Sequence, residues 1–142
     1  MKDISSYTIH SVTAEEAEIL NNKIDAFNVM QLQFHGNAEE FKNYAIKDQE
    51  NIVAGIRICL YLRECMFISV LFVDEKYRNK GLGSRLLTYA EQYAKSAGIK
   101  LSHLDTFDFQ AKDFYLKQGY EIFGVLNHCP RGHTRYYLKK LL

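Results

Sequence analysis

The residues best suited to chemistry run from Val73 to Ser84, in the order Val73-Asp74-Glu75-Lys76-Tyr77-Arg78-Asn79-Lys80-Gly81-Leu82-Gly83-Ser84. Glycines at 81 and 83 let the backbone approach an anion closely. A helix beginning near Leu82 aims its unpaired N–H groups and the positive end of its dipole at the same place. Arg78 and Lys80 add positive charge beside it. This is the chemistry of a pyrophosphate cradle, and a side chain at Gly83 is expected to fill the space the anion needs. Two other phosphate motifs do not fit. No lysine follows a second glycine as in G-x-x-x-x-G-K-[ST], and Leu86 stands where G-x-G-x-x-G needs its third glycine.

The elements that must position the cradle are legible from periodicity. Tyr7 to Val12 alternates like a first strand, and Thr13-Ala14-Glu15-Glu16 forms a capping box for a helix presenting Ala17, Leu20, Ile24 and Phe27. Phe41 to Ile46 and Ile52 to Leu62 read as the second and third strands, the latter with Ile52, Ala54, Ile56, Ile58 and Leu60 on one face and Arg63-Glu64 as a hairpin turn. Met66 to Val73 is apolar except at Ser69, which predicts a fourth, central strand covered on both faces. From Leu82 the positions Leu86, Leu87, Ala90, Tyr93, Ala94 and Ala97 follow a helical period, and Gly98 sits where a left-handed cap belongs. Lys100 to Phe109 is a fifth strand. Gln110 to Gln118 is a short helix closed by Gly119, and Tyr120 to Leu126 and Thr134 to Leu142 are two last strands around the Pro130-Arg131-Gly132 turn. The expected fold class is mixed α/β, a single domain over 1–142 built on a strand, phosphate loop, helix, strand unit.

Composition narrows the function classes. A chain of 142 residues can bury a core without metals or disulfides. With 18 basic against 17 acidic side chains there is no global field for nucleic acid, so anion binding must be local. Cys59, Cys65 and Cys129 are odd in number and lack C-x-x-C spacing, and no signal-like or membrane-length apolar run occurs. The expectation is a reduced, cytoplasmic protein with no membrane partner. Cys59 and Cys65 read as core or edge residues. His128-Cys129-Pro130-Arg131-Gly132-His133 reads as a turn rather than a zinc site, and no metal is expected.

The spacing R-x-x-G-x-G at Arg78, Gly81 and Gly83, following an apolar strand, resembles motif A of the GNAT superfamily of acyl-coenzyme A-dependent N-acyltransferases. About thirty residues later Phe109-Gln110-Ala111-Lys112-Asp113-Phe114-Tyr115-Leu116-Lys117-Gln118-Gly119-Tyr120-Glu121 resembles that family's motif B, A-x-x-F-Y-x-x-x-G-[FY], and the stretch from Gly132 to Lys140 resembles the ending of many small bacterial members. The flanking elements follow the family order from Tyr7 to Leu142.

The resemblance implies a mostly antiparallel sheet flanked by helices and splayed between its fourth and fifth strands. It also implies transfer of an acetyl group from acetyl-coenzyme A to an amine. The cofactor would pair its pantetheine with main chain at Leu71, Phe72 and Val73, an N–H near Phe72 facing the developing oxyanion. Its pyrophosphate would lie on Arg78, Asn79, Lys80, Gly81, Leu82, Gly83 and Ser84, with Gln110 and Ala111 also at the cofactor. Tyr115 takes the motif B position whose phenol protonates the leaving thiolate. The strand position where relatives carry an acidic base is Ser69 here, so the proton acceptor is left among His103, Asp105 and water. By analogy the acceptor would be recognised by Asp25, Asn28, Gln31, Gln33 and His35, with Asp105 or Asp108 holding a cationic amine. A small-molecule amine is the favoured acceptor. A protein or peptide amine and a non-catalytic coenzyme A-binding domain are the alternatives, and a homodimer through Tyr136-Tyr137-Leu138 is the expected assembly.

Overall fold

The computed structural model describes residues 1, 3–32 and 39–142. It divides into two compact units, Met1–Asn37 and Ala38–Leu142.

In the first unit a 3-10 turn, Ile4–Ser6, is capped by Asp3, whose carboxylate accepts from the Ser5 N–H (3.2 Å) and hydroxyl (2.7 Å). Helix α1 then runs Ala14–Leu32. Its capping box forms as expected: the Glu16 N–H donates to Thr13 Oγ1 (3.1 Å), and the Thr13 N–H donates to Glu16 Oε1 (3.2 Å). The strand expected over Tyr7 to Val12 is not there. Alternation supplies a face but not a partner, and a strand exists only where a ladder takes its hydrogen bonds. The fourth and fifth strands of the sequence reading are therefore β3 and β4.

The second unit is a six-stranded sheet in the order β1-β2-β3-β4-β6-β5. Its strands are β1 (Glu40–Asp48), β2 (Asn51–Tyr61), β3 (Cys65–Val73), β4 (Leu101–Phe107), β5 (Glu121–Asn127) and β6 (Thr134–Leu141). Helices α2 (Leu82–Ser96) and α3 (Lys112–Lys117) complete it. All neighbours are antiparallel except β3 and β4. The β2–β3 hairpin closes with Leu62 and Arg63 both left-handed, at φ +48° and +63°. Ala54, Ile56, Ile58 and Leu60 of β2 face inward as the alternation requires, against Leu86, Leu87, Ala90 and Ala94 of α2. Gly98, at φ +85°, ends α2 where the sequence placed it.

Strand β3 departs from expectation in the way that matters for the site. Its register against β2 shifts between Ile68, opposite Ile58, and Val70, opposite Arg57, leaving Ser69 as the extra residue of a bulge. The shift lets both Met66 and Ile68 before the bulge and Leu71 and Val73 after it pack toward the core, although the two pairs are out of phase. Ser69, Val70 and Phe72 are exposed, so the strand is not covered on both faces. Seven apolar side chains in eight described two half-strands in different phase rather than one strand buried throughout.

Candidate active site

The parallel pairing of β3 with β4 covers only Cys65–Leu101, Met66–Ser102 and Phe67–His103. Beyond Phe67 the strands part, although β3 continues to Val73 and β4 to Phe107. The Asp74 N–H donates to the Val53 carbonyl (2.8 Å), which with the register makes Val73–Ala54 a non-hydrogen-bonded pair and Phe72–Gly55 a hydrogen-bonded one. By alternation the N–H and C=O groups of Leu71 and Val73 point away from β2, into the gap. The Phe72 N–H points toward β2, so an amide donor aimed into the gap belongs to Leu71 or Val73. A strand edge left open inside a sheet suits an extended ligand that carries amides.

The loop from β3 to α2 closes one end of the gap. Arg78 donates from Nε to the Val73 carbonyl (2.9 Å), and its guanidinium lies 5.8 Å from the Phe72 ring. Tyr77 donates to Asp48 Oδ2 (2.6 Å), which pins the loop to the end of β1, and Lys80 lies 5.7 Å from the Tyr77 ring. Asn79 and Gly81 are both left-handed, at φ +60° and +82°. No side chain caps α2, and its first intrahelical bond runs from the Arg85 N–H to the Gly81 carbonyl (3.0 Å). The N–H groups of Leu82, Gly83 and Ser84 are thus left for an anion.

The two glycines do different work. A Cβ at Gly81 would meet nothing within 4 Å, so its side stands open. A Cβ at Gly83 would point at Phe114 (3.5 Å) and Val73 (3.7 Å), into the protein. The expectation that a side chain at Gly83 fills the anion's space is corrected: its Cβ would stand in ordinary contact with Phe114 of α3 and with Val73, and it is Gly81 that faces the open side. A groove of about 420 Å³ continues from Gly81 along Ser84, Arg85, Thr88, Tyr89 and Gln92. Ser84 donates to Gln118 Oε1 (3.4 Å), tying α2 to the end of α3. An anionic ligand fits these residues, with open backbone donors at the helix start and Arg78, Lys80 and Arg85 around them.

Tyr115, on α3, is only 5% exposed and packs edge-on against Phe114 and Tyr120, at ring separations of 5.2 and 5.7 Å. Its hydroxyl makes no hydrogen bond among the described residues, and burial pushes its pKa up to about 12. It is a protonated phenol with its hydrogen uncommitted. Phe114 beside it reaches Gly83, so motif B and the cradle meet through one ring.

Proton acceptors are fewer than the sequence offered. Asp105 is clamped by Arg135 of β6, with Nε at 2.9 Å and Nη2 at 2.7 Å from the same oxygen. Ser69 donates to the Arg57 carbonyl (3.3 Å). His103, half-buried on the same face of β4 as Asp105, is hydrogen-bonded through Nε2 to the Tyr61 hydroxyl. Burial lowers its pKa, opposed by the Asp105 charge, so it is neutral near pH 7. His103 and Asp105 share a face without pairing, and each has a different partner.

The remaining expectations divide. Gln110 accepts through Oε1 from the Phe107 N–H (2.8 Å) and the Thr106 hydroxyl (3.2 Å), and Ala111 is the residue that caps α3, its N–H donating to Thr106 Oγ1 (3.4 Å). Both shape the turn after β4. Asp108 accepts from the Thr134 N–H (2.9 Å) and lies 2.9 Å from His133 Nδ1; these bonds hold its pKa below the ordinary carboxylate value. Asp25, Asn28 and Gln31 lie on α1. Gln33 and His35 lie outside the described residues. Three features escaped the sequence reading: the bulge, signalled only by one serine in an apolar run, the Tyr61 contact and Arg85.

These features define a class of protein, one that holds an extended anionic donor in a splayed sheet beside a buried phenol. Residues 8–120 match the family described as Acetyltransferase (GNAT) family, and the chain belongs to it. Among its relatives are an acetyltransferase of Agrobacterium fabrum, 26% identical over 95% of this chain and 98% of that one, and the blasticidin-S acetyltransferase of Streptomyces morookaense, 32% identical over 73% and 76%. A crystal structure of an acetyltransferase from Bacillus cereus superposes with a TM-score of 0.88 at 34% identity, covering 98% of this chain and all of that one. The protein is an acetyl-coenzyme A-dependent acetyltransferase.

Proposed function

We propose that the protein acts as one N-acetyltransferase domain that moves an acetyl group from acetyl-coenzyme A directly to the primary amine of a small molecule. The observation that carries this reading is the gap edge of β3, where the Leu71 N–H and C=O and the Val73 N–H turn toward β4, the Val73 carbonyl being taken by Arg78, while the loop at its end offers uncapped N–H groups. Acetyl-coenzyme A supplies the activated acyl group as a thioester. Leu71 and Val73 pair with its amides, with one of their N–H groups facing the carbonyl oxygen as negative charge develops, and Asn79 to Ser84 hold the pyrophosphate. His103 accepts the amine proton as the carbon–nitrogen bond forms. Tyr115 gives its proton to sulfur as the carbon–sulfur bond breaks. Asp105, with one carboxylate oxygen held by Arg135, is the less available acceptor.

A small-molecule acceptor is supported by the relative whose name gives blasticidin S as its substrate. The test is calorimetry with acetyl-coenzyme A, followed by thiol release across a panel of small amines and basic peptides. Ligand at ~100 times its dissociation constant should stabilise the fold by about 2.7 kcal/mol. Absence of binding would overturn the reading, and turnover with peptides alone would move it to the protein-acetyltransferase alternative.

A second copy of the chain remains the expected partner, but not through the surface anticipated. Strand β6 is interior, between β4 and β5, and Leu138 is fully buried. The edges of the sheet are β1 and β5, and β5 exposes Phe123 and Val125. Light scattering should give a dimer mass, and a monomer mass at micromolar concentration would remove this partner.

A further inference from the structure

Coenzyme A carries two anionic groups on its nucleotide end, the pyrophosphate on the 5′ carbon of the ribose and a phosphate on the 3′ carbon. The cradle at the start of α2 suits the first. The second sits one sugar ring away and needs a cation of its own. The pantetheine on one side of the pyrophosphate enters the gap between β3 and β4, so the nucleotide must leave the cradle on the other. From Gly81 the groove of about 420 Å³ runs that way, along Ser84, Arg85, Thr88, Tyr89 and Gln92.

Arg85, Thr88 and Gln92 are exposed and recur at three- and four-residue spacing, on the face of α2 opposite the buried stripe of Leu86, Leu87, Ala90 and Ala94. Tyr89 flanks them, its ring held edge-on by Tyr44 of β1 at 4.8 Å. Among the described residues Arg85 is the one cation lining the groove, and no carboxylate lines it. Its guanidinium makes no ion pair, hydrogen bond or ring contact among them, whereas Arg78 donates to the Val73 carbonyl (2.9 Å) and Lys80 lies over the Tyr77 ring. An exposed arginine without a partner is ordinary on a helix; what sets Arg85 apart is its place. The Arg85 N–H donates to the Gly81 carbonyl (3.0 Å), so the residue stands one turn into α2 from the open side of the cradle, and helical side chains lean back toward the N-terminus. One turn is about 5.4 Å, a span of the order of the sugar that separates the two phosphates.

We infer that Arg85 binds the 3′-phosphate of coenzyme A, its planar fork of donors on the phosphate oxygens and the adenosine along Thr88 and Gln92, and that this residue makes the protein select coenzyme A over its 3′-dephospho form. The inference rests on the pyrophosphate lying in the cradle, as in the reading above. The pair is open to solvent, so its contribution is moderate and falls as salt rises.

The experiment is calorimetry of the parent, Arg85→Ala, Arg85→Lys and Arg78→Ala with acetyl-coenzyme A and acetyl-3′-dephospho-coenzyme A, and with 3′-phosphoadenosine 5′-diphosphate and ADP as the pantetheine-free pair. The parent should bind acetyl-coenzyme A about tenfold tighter than the dephospho form at low salt, with the preference shrinking as salt is added. Arg85→Ala should weaken acetyl-coenzyme A by that factor and leave the dephospho form unchanged, which erases the preference. Arg85→Lys, which keeps the charge but not the fork, should retain part of it. Arg78→Ala should weaken both donors alike and keep the preference. The pantetheine-free pair should follow the same pattern, since the discrimination lies wholly in the nucleotide. The melting temperature of Arg85→Ala should match that of the parent, because Arg85 has no side-chain partner to lose. A parent without preference, or equal weakening of both donors by Arg85→Ala, would overturn the assignment, the latter placing Arg85 at the pyrophosphate. Failure of the parent to bind either donor would overturn the cradle reading, and the assignment with it.

Discussion

At the scale of single residues, Tyr115 carries the sharpest expectation. Its hydroxyl has no hydrogen-bond partner among the described residues, so Tyr115→Phe removes no bond and should leave the melting temperature and acetyl-coenzyme A affinity nearly unchanged. Turnover should fall by roughly ten- to a thousandfold, and less for thioesters whose thiol is more acidic; an equal loss for every leaving group would make it a packing residue. His103 gives a second test, in stability. Its folded pKa lies below the ordinary value of 6.5, so as pH falls through that value the unfolded chain takes up the proton first and the native state loses stability. Urea unfolding of the parent should weaken between pH 7 and 5, above the carboxylate range in which Asp108 acts. His103→Gln should flatten that window.

At the scale of elements, the start of α2 separates binding from packing. Gly81→Ala forces a Cβ into a left-handed residue that opens on the groove, costing about 1 kcal/mol of strain and weakening acetyl-coenzyme A binding in calorimetry. Gly83→Val should instead lower the melting temperature, because its methyl groups meet Phe114 and Val73. Arg78→Ala removes a charge and the bond to the Val73 carbonyl, so cofactor affinity should fall and its salt dependence become shallower. Equal salt slopes in the two proteins would place Arg78 away from the anion.

At the scale of the whole sheet unit, a buried polar chain joins elements far apart in sequence. The Tyr120 and Ser102 hydroxyls lie 2.7 Å apart, Tyr120 donates to Glu91 Oε1 (3.3 Å), and Lys140 donates to Glu91 Oε2 (2.7 Å). The Glu91 side chain is 9% exposed and Lys140 reaches solvent. Lys140→Met strands a buried carboxylate and should cost about 3 kcal/mol in urea unfolding, the low end for a broken buried pair. Glu91→Leu with Lys140→Met should recover much of that, since neither charge then remains.

The cradle, the helix it opens, the capping box and motif B were written in local spacing, because a glycine's φ, a cap and an amphipathic period are properties of a few consecutive residues. Leu86, Leu87, Ala90 and Ala94 announced the buried stripe of α2 in the same way. What only tertiary structure decided were matters of partnership. Tyr7 to Val12 had the pattern of a strand without a ladder, and Ser69 became a bulge only when β3 was laid against β2. Asp105 gained Arg135 as a partner only when β6 was laid beside β4, and Gly83 gained Phe114 as a neighbour only when α3 packed against α2. Local chemistry fixes what a residue can do, and which neighbour it meets is settled by the long-range register of the sheet, to which no short stretch of sequence has access.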